Sequence, residues 1–284
     1  MTDQAIVRLR RSALYMPCSN SRALEKAAAL PADVLLFDLE DAVAPDAKSQ
    51  ARAAIVAALK QKDYGRREKV VRINAVDSDW GYQDLKALAD TPLDGLLLPK
   101  VESAEQINQA LAVLGRDVPV WVMAETPRGV LNIETIAAHP QTAVIVMGTN
   151  DLAREMRVLQ SAGREEFAWA FGRCVMAARA CGCDILDGVY NRLQDDEGLQ
   201  RLCDQARALG FDGKTLIHPA QLAICNKAFL PADNEVAEAR AIVEAWQQAP
   251  DQGVLVVNGR LVEALHVDEA HRCLAMVQMA QNGQ

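Results

Sequence analysis

Histidine is scarce in this chain of 284 residues. Its four histidines, His139, His218, His266 and His271, show no spacing typical of a zinc site. None of them forms a convincing nucleophilic arrangement with a serine or a cysteine from sequence order alone. His218 precedes a proline at a strand end, where a histidine is often structural. Zinc catalysis and a nucleophilic triad are therefore disfavoured.

Paired cysteine spacing is also missing. The chain has seven cysteines, an odd number, scattered along its length. Cys181 and Cys183 are separated by one residue and have no second pair nearby, unlike a zinc motif. The pattern favours reduced, structural thiols over a disulfide framework.

Excess positive charge and long apolar runs are likewise absent. The formal net charge of −8 disfavours a general nucleic-acid binder, because phosphate affinity depends on concentrated Lys and Arg. No stretch approaches the length of a membrane span, and residues 1–11 are not followed by the apolar core of a signal peptide. We therefore expect a cytoplasmic protein without a nucleic-acid or membrane partner.

What the sequence does contain is a repeated alternation of strand-like and helix-like segments. Eight times, an apolar run ends in polar residues and is followed by an amphipathic stretch. The runs lie at residues 12–15, 34–37, 70–73, 95–98, 120–124, 143–147, 184–186 and 215–217. This alternation is typical of parallel βα units, and eight of them predict an α/β fold, a closed (β/α)8 TIM barrel. Such barrels carry their active sites at the carboxyl ends of the strands.

The pattern changes after Phe229, which predicts a boundary between two domains. Residues 1–229 form the predicted barrel, and residues 230–284 form a small C-terminal helical extension. Within the extension we expect a helix, a short strand before an Asn258-Gly259 hairpin turn, and a last helix. The extension is too small to fold alone, so we expect it to pack on its own barrel or on a neighbouring subunit.

Glu125 and Asp151 are the strongest candidates for a metal site. Each follows an apolar strand, and the two strands are consecutive in the chain. Their carboxylates can converge at the barrel mouth and leave further positions to water and substrate, as a catalytic Mg²⁺ requires. The alternative is that both are ordinary carboxylates at helix starts.

Arg72 lies inside the third strand, where a buried cation requires a partner. It can bind a substrate carboxylate through two parallel hydrogen bonds, or it can form an internal ion pair with Glu40 or Asp41. Asp38, Glu40 and Asp41 crowd one strand end and need a positive neighbour, for which Arg72, Lys100 or the metal can serve. A solvated acidic loop is the alternative for this cluster.

The first strand-to-helix turn, residues 15–22, has small residues, hydroxyl groups and a helix start. Such a turn can hold phosphate, with Arg11 and Lys26 nearby in sequence. The signal is weak without a glycine-rich fingerprint, and an ordinary capped helix start fits equally well.

Ordered motifs along nearly the whole chain resemble the citrate lyase β-subunit family, which includes the malyl-CoA and citramalyl-CoA lyases of the HpcH/HpaI aldolase superfamily. The motifs are RSALYMP at 11–17, FDLEDAV at 37–43 with Lys48 and Arg52, VRIN at 71–74, LPK at 98–100, AETP at 124–127 with Gly129 and Val130, GTNDL at 148–152, DGVY at 187–190, GFDGK at 210–214 and IHP at 217–219.

The resemblance implies a TIM barrel that binds Mg²⁺ through Glu125 and Asp151 and the keto-acid carboxylate through Arg72. It also implies a homo-oligomer, a trimer or hexamer, in which an acid from the C-terminal segment completes an adjacent site; here that residue is Glu263. The same resemblance implies that the first turn and the basic residues around it face coenzyme A. The residues concerned are Arg11, Tyr15, Pro17, Ser19, Arg22 and Lys26.

Three positions depart from the family pattern. Glu263 stands where Asp is usual, and its extra methylene moves the carboxylate by about one bond length. Cys18 replaces a common Gly, and its side chain is bulkier on the path expected for phosphate or pantetheine. Asn150 replaces an acid that often precedes the metal-binding Asp.

The resemblance predicts a Mg²⁺-dependent carbon-carbon lyase. Its substrates would be a 3-hydroxyacyl-CoA such as citramalyl-CoA, malyl-CoA or citryl-CoA, and its products an acyl-CoA and a 2-keto acid. Arg72, Glu40, Asp41 and Glu263 are its expected catalytic residues. Two alternatives stay open: a metal-dependent aldolase acting on a free hydroxy-keto acid, and a non-catalytic subunit that binds acyl-CoA. The sequence leaves open the identity of the keto acid and whether the thioester belongs to coenzyme A or to an acyl carrier protein.

Overall fold

A computed structural model describes residues 8–18, 21–249 and 253–281. The first eight strands pair in parallel and in sequence order, and β1 pairs with β8 to close a barrel. Within these residues the strands are β1 (Ser12–Pro17), β2 (Val34–Asp38), β3 (Glu68–Arg72), β4 (Gly95–Leu98), β5 (Val120–Ala124), β6 (Thr142–Met147), β7 (Asp184–Asp187), β8 (Gly213–Leu216), β9 (Val254–Val257) and β10 (Arg260–Glu263).

Helices connect the barrel strands and form the final segment of the chain. They are α1 (Ser21–Lys26), α2 (Lys48–Gln61), α3 (Asp79–Leu88), α4 (Ala104–Leu114), α5 (Pro127–Leu131), α6 (Ile133–Ala137), α7 (Thr149–Met156), α8 (Ala168–Cys181), α9 (Asp196–Ala208), α10 (Leu222–Ala228), α11 (Asp233–Gln248) and α12 (Ala264–Gln281). The predicted TIM barrel is confirmed. In the described part of the chain, no helix combines the length and apolar character needed to cross a membrane.

The barrel interior is filled by every second residue of the strands. Val34 and Leu36 of β2, Val70 of β3 and Trp121 of β5 belong to one buried apolar cluster. The strands are buried on both faces because helices cover the outside, so they read as continuous apolar runs. Side chains of a strand alternate between its two faces, so every second residue points into the barrel. At the carboxyl ends of β2, β3 and β5, the next inward-pointing residues beyond this cluster are polar. Asp38, Arg72 and Glu125 occupy those positions.

The chain divides into two compact units, one of residues 10–226 and one that contains residues 8–9 and the described part of 227–284. In the second unit, α11 packs against α12, and β9 and β10 form an antiparallel hairpin. Its turn residues Asn258 and Gly259 have φ angles of 50° and 79°, as a two-residue turn with left-handed central residues requires. The predicted hairpin turn is therefore present.

Three of the differences from the sequence prediction concern elements next to the cavity or to β7. β8 covers Gly213–Leu216, so it begins two residues earlier than predicted and includes Lys214. The short helix α5 and the helix α7 were not predicted, because each begins within a strand-end motif and shows little periodicity of its own. Thr126 caps α5 by accepting a hydrogen bond from the Gly129 N–H.

Candidate active site

A cavity of about 320 Å³ opens at the carboxyl end of the barrel. Both predicted metal ligands and the predicted carboxylate-binding arginine line it. The lining residues are Tyr15, Asp38, Asp41, Ala42, Arg72, Met123, Glu125, Met147, Gly148, Thr149, Asn150, Asp151, Val189, Asn191, Thr215 and Ile217. The structure thus brings Glu125, Asp151 and Arg72 to one site.

Arg72 is buried at the end of β3 and is held mainly by Asp38. Its Nε and Nη2 donate to the two Asp38 carboxylate oxygens at 2.7 and 2.6 Å, a bidentate pair. Its Nη1 lies 3.0 Å from Glu40 Oε2 and 3.6 Å from Asp41 Oδ2. The guanidinium also lies over the Tyr15 ring, 4.7 Å from its centroid. Arg72 is therefore fixed in place before any ligand binds.

The carboxylates after β2 differ in exposure. The side chain of Glu40 is 10% exposed, whereas that of Asp41 is 64% exposed. Burial raises the pKa of Glu40, with a contribution from Asp41, although Arg72 and Lys100 act in the opposite direction. Lys100 Nζ donates to Glu40 Oε1 at 3.1 Å. Asp41 is thus the carboxylate of this cluster that solvent in the cavity can reach.

Two buried groups behind the cavity hold the loop that carries Glu40. Lys48 Nζ donates to the carbonyl oxygens of Leu39 and Glu40 at 2.8 and 2.7 Å. Asn74 Nδ2 donates to the Leu39 carbonyl at 2.9 Å and to Asp84 Oδ2 at 2.7 Å. The carbonyls at this strand end are therefore satisfied by side chains, and the carboxylates stay available for the cavity.

Glu125 is almost completely buried, with an exposed fraction of 1%. Its Oε1 accepts a hydrogen bond from the Lys100 main-chain N–H at 2.8 Å. Lys100 has φ of 48°, an uncommon conformation for a residue with a side chain. Burial, followed by the nearby charge of Glu40, raises the pKa of Glu125 to about 7.

Asp151 lies in the first turn of α7, where the helix dipole favours a negative charge. Its Oδ1 pairs with Arg154 Nη2 at 2.6 Å, but Arg154 is largely exposed and the pair is open to solvent. Gly148, between β6 and α7, has the Glu125 side chain directly beside it: a Cβ added there would lie 2.3 Å from Glu125 Cβ. A glycine at this position lets Glu125 and the start of α7 approach each other.

Glu125 and Asp151 suit a hard divalent cation. Both offer carboxylate oxygens, and in the described part of the chain no Lys or Arg forms an ion pair with Glu125. Among the described residues, no three Asp, Glu, His or Cys side chains cluster as a closed metal cage. Two protein ligands with open positions for water and substrate are what a catalytic Mg²⁺ site requires.

A buried charged network on the outer side of β7 and β8 was missed by the sequence analysis. Arg164 Nη1 donates to the Asp187 oxygens at 2.7 and 2.8 Å, and Lys214 Nζ donates to Asp187 Oδ2 at 2.6 Å and to the Gly188 carbonyl. Burial alone would raise the pKa of Asp187, but Lys214 and Arg164 bring it below its ordinary value. The sequence signal for this network was a charged residue within a strand, Lys214 in β8, just as Arg72 in β3 was the signal for the pair with Asp38.

The residues expected to face coenzyme A fall into different places. Arg11 does not face the cavity, contrary to its expected contact with coenzyme A. It precedes β1, and its Nε and Nη2 donate to Asp33, the residue before β2, at 2.8 and 2.7 Å. This ion pair lies at the amino ends of the strands, opposite the cavity, so Arg11 has a structural role. Arg22 and Lys26 are exposed on α1 and do not line the cavity.

The remaining members of that set lie near the cavity or outside the described residues. Tyr15 lines the cavity, and Pro17 ends β1 opposite Asp38. Ser19 lies outside the described residues. Cys18 is buried, and burial raises the pKa of its thiol. Cys18, Cys174, Cys181, Cys183, Cys203 and Cys225 carry free thiols, in agreement with the prediction of reduced thiols.

Glu263 and His218 complete the set of candidate residues. Glu263 ends β10 in the second unit, where its main-chain N–H donates to His266 Nδ1 at 3.0 Å. Its predicted role at an adjacent site stays a prediction. His218 is exposed, and its Nδ1 accepts a hydrogen bond from the Ala220 N–H at 3.2 Å, a structural role in the turn that follows β8.

Fold and site together define an enzyme of the TIM-barrel class with an acidic, arginine-containing mouth. The family model described as HpcH/HpaI aldolase/citrate lyase matches residues 11–219, and the chain belongs to that family. A (3S)-malyl-CoA thioesterase from Cereibacter sphaeroides (strain ATCC 17029 / ATH 2.4.9) is 48% identical over 270 residues, which cover 94% of each chain. The citrate lyase subunit beta of Leuconostoc mesenteroides subsp. cremoris is 33% identical over 95% of this chain and 93% of its own.

Solved structures of citrate lyase beta-subunit proteins are also similar to this chain. CitE from Mycobacterium tuberculosis, in complex with magnesium, acetoacetate and coenzyme A, is 33% identical, with a TM-score of 0.78 over 95% of this chain and 97% of that chain. The citrate lyase beta subunit of the same organism, complexed with oxaloacetate and magnesium, is 35% identical, with a TM-score of 0.68 over 78% of this chain and 98% of that chain. Magnesium is thus the metal in these homologous structures.

Proposed function

We propose that this protein is a Mg²⁺-dependent thioesterase that hydrolyses a malyl-CoA-type thioester to coenzyme A and the free hydroxy acid. The observation that carries the proposal is the 48% identity to (3S)-malyl-CoA thioesterases over 94% of both chains. The cavity supports it, because Glu125, Asp151 and Arg72 all line the same space. That space suits a small acid with a carboxylate and a hydroxyl group.

In this proposal Glu125 and Asp151 hold Mg²⁺, which supplies a positive charge that polarises oxygen atoms of the bound acid. Arg72 binds the carboxylate of the malyl group, and the Asp38 pair keeps its guanidinium oriented. Asp41 lines the cavity and is the accessible carboxylate, so it accepts the proton of the attacking water. Water adds to the thioester carbonyl carbon, the C–S bond breaks, and coenzyme A leaves as the thiol with that proton.

Carbon-carbon cleavage, the reaction predicted from the sequence, is the second candidate. It is favoured by the relationship to citrate lyase subunit beta and by the CitE complexes with keto acids. In this reaction the substrate hydroxyl loses its proton, the bond between the hydroxyl carbon and its neighbour breaks, and the thioester enolate is protonated to acetyl-CoA. Glu263, from a neighbouring subunit, is the proposed proton donor.

Product analysis separates the two reactions. The protein is incubated with (3S)-malyl-CoA and Mg²⁺, with and without chelator, and the products are quantified by mass spectrometry. Hydrolysis yields malate and free coenzyme A in equal amounts, whereas cleavage yields glyoxylate and acetyl-CoA. Absence of turnover with this and other 3-hydroxyacyl-CoA thioesters, with the folded protein still binding acyl-CoA, would identify a non-catalytic subunit and contradict both.

The metal ligands are tested in the same assay. Glu125→Gln and Asp151→Asn should each lower the Mg²⁺-dependent rate by about 100-fold or more, because each removes one of the two protein carboxylates. Glu238→Gln serves as a control, since Glu238 pairs with Arg260 in the second unit and both side chains are solvent-exposed. Full activity of both site variants would remove the metal from the proposal.

A further inference from the structure

Two hydrogen-bond donors in the cavity face the same weak acceptor. Tyr15 Oη lies 3.9 Å from the thioether sulfur of Met123, and Arg72 Nη1 lies 3.8 Å from that sulfur. All three residues line the cavity. The three side chains come from β1, β3 and β5 and belong to the inward-facing register of the barrel. The sulfur atom therefore marks a point on which a phenol and a guanidinium converge.

A thioether sulfur is a poor partner for either donor. Within residues 8–18, 21–249 and 253–281, the Tyr15 hydroxyl has no other hydrogen-bond partner. Arg72 uses Nε and Nη2 for Asp38, and its Nη1 lies 3.0 Å from Glu40 Oε2. One N–H of Nη1 nevertheless points to the Met123 sulfur, and this is the N–H that a ligand oxygen can take over. A buried polar group without a good acceptor costs free energy unless a ligand supplies one.

Charge decides what kind of ligand fits. Both groups are donors, and Arg72 is cationic, so the complementary group is an anionic oxygen. Burial raises the pKa of Tyr15 above its ordinary value, although Arg72 lowers it, so the phenol keeps its proton at any working pH. The contact of the ring with the guanidinium holds the hydroxyl beside Arg72. Met123 is flexible enough to yield a small space to an entering oxygen atom.

We propose that Tyr15 Oη and Arg72 Nη1 form a two-donor subsite for one carboxylate oxygen of the substrate. Tyr15 is then a substrate-binding residue for the small acid, in place of the contact with coenzyme A expected from the sequence. Met123 forms the wall of this subsite. The inference rests on the proposed function for the identity of the acid, and on the cavity geometry for the two donors.

The test is Tyr15→Phe, which removes only the hydroxyl and keeps the ring over Arg72. The KM for (3S)-malyl-CoA should rise about 10- to 100-fold, because a hydrogen bond to a charged oxygen is lost, while kcat changes little. The Kd of L-malate measured calorimetrically with Mg²⁺ should rise by a similar factor. The thermal midpoint should stay within about 2 °C of the parent protein, since the hydroxyl has no strong partner to lose.

A second buried tyrosine provides the control. Tyr64→Phe removes the hydroxyl of another buried tyrosine, whose Oη lies 3.5 Å from the Leu24 carbonyl away from the cavity, and it should leave KM unchanged.

The outcomes separate this inference from the proposed function. If the parent protein turns over malyl-CoA and Tyr15→Phe keeps the same KM and the same malate affinity, the subsite is wrong. A lower thermal midpoint with unchanged KM would show that the hydroxyl is structural and would also overturn it. If the parent protein turns over no thioester, the proposed function fails, and the malate titration with Tyr15→Phe still decides the role of the phenol.

Discussion

Among single residues, Gly148 shows how closely the metal site is packed. Its φ of −98° is accessible to any residue, so glycine is needed here for space and not for backbone conformation. An added Cβ would lie 2.3 Å from Glu125 Cβ and 2.5 Å from Glu125 Oε2. Because both neighbours belong to one side chain, that side chain has to move.

We expect Gly148→Ala to lower kcat/KM by about 100-fold and to weaken Mg²⁺ binding, because the carboxylate leaves its position. Gly172→Ala is the matched control: Gly172 lies in α8, and a Cβ there meets nothing within 4 Å. It should keep full activity and equal or higher stability. The measurements are steady-state kinetics and calorimetric Mg²⁺ titration, and equal kinetics for both variants would contradict the crowding argument.

Glu125 is expected to weaken the metal-free fold above neutral pH. Its pKa rises from an ordinary value of 4.5 to about 7 on folding, so the unfolded chain releases this proton at lower pH than the folded protein does. This contribution to stability is therefore present below pH 4.5 and is lost as the pH rises to about 7. The loss is up to about 3 kcal/mol.

Glu125→Gln, with chelator present, should therefore be more stable than the parent protein at pH 8 and no more stable at pH 4.5. The glutamine oxygen can still accept the Lys100 N–H, which keeps the comparison close to isosteric. Urea unfolding at both pH values measures the difference. A variant that is less stable at pH 8 would show that the carboxylate, even without metal, is a favourable part of the fold.

Arg72 and Arg11 show which residue roles a sequence discloses. An arginine inside an apolar strand predicts a buried, paired guanidinium, and the structure places Arg72 in such a pair. Arg11 precedes its strand, and linear proximity to the first turn suggested a shared site. A strand separates its two ends by its whole length, so Arg11 lies at the opposite face of the barrel.

Among secondary-structure elements, strands were easier to predict than the short helices. All eight barrel strands overlap their predicted runs, because burial on both faces makes each a continuous apolar segment. α5 has five residues and α7 has eight, too few turns for a helical period to stand out from the strand-end motif. Asp187 at the end of β7 was read as part of a motif, whereas its partners Arg164 and Lys214 are distant in sequence.

The network around Asp187 is expected to stabilise the β7 and β8 ends. Asp187→Asn leaves two buried cations without their anion, so the free energy of unfolding should fall by about 3–5 kcal/mol. Glu238→Gln, which removes an exposed ion pair with Arg260, should change it by less than about 1 kcal/mol. Urea unfolding measures both, and equal effects would mean that the buried network contributes no more than a surface pair.

For the molecule as a whole, the eightfold repeat was sufficient to predict barrel closure, because only one common architecture joins eight consecutive βα units. The position of residues 230–284 was not predictable, because the short extension has no repeat that specifies its neighbour. Its participation in a site therefore stays a prediction, as does the homo-oligomer that it requires.

Subunit mixing tests that prediction. In the carbon-carbon cleavage assay, Arg72→Met and Glu263→Gln should each be inactive alone, because one damages the barrel cavity and the other removes the acid proposed for that reaction. If Glu263 serves a neighbouring subunit, mixed oligomers contain some sites with both residues intact, and activity should recover to about a quarter of the parent value. Continued inactivity of verified mixed oligomers would place Glu263 within its own subunit or outside the reaction.

The hydrogen bond from the Lys100 amide to Glu125 has an evolutionary consequence. A donor that belongs to the peptide group persists whichever side chain is attached, so the orientation of the carboxylate is insulated from most substitutions at position 100. Proline would abolish it by removing the N–H, and β-branched residues would resist the required φ of 48°. Sequence drift at this position is therefore limited by backbone geometry, and a change of side-chain charge would in addition remove the ion pair with Glu40.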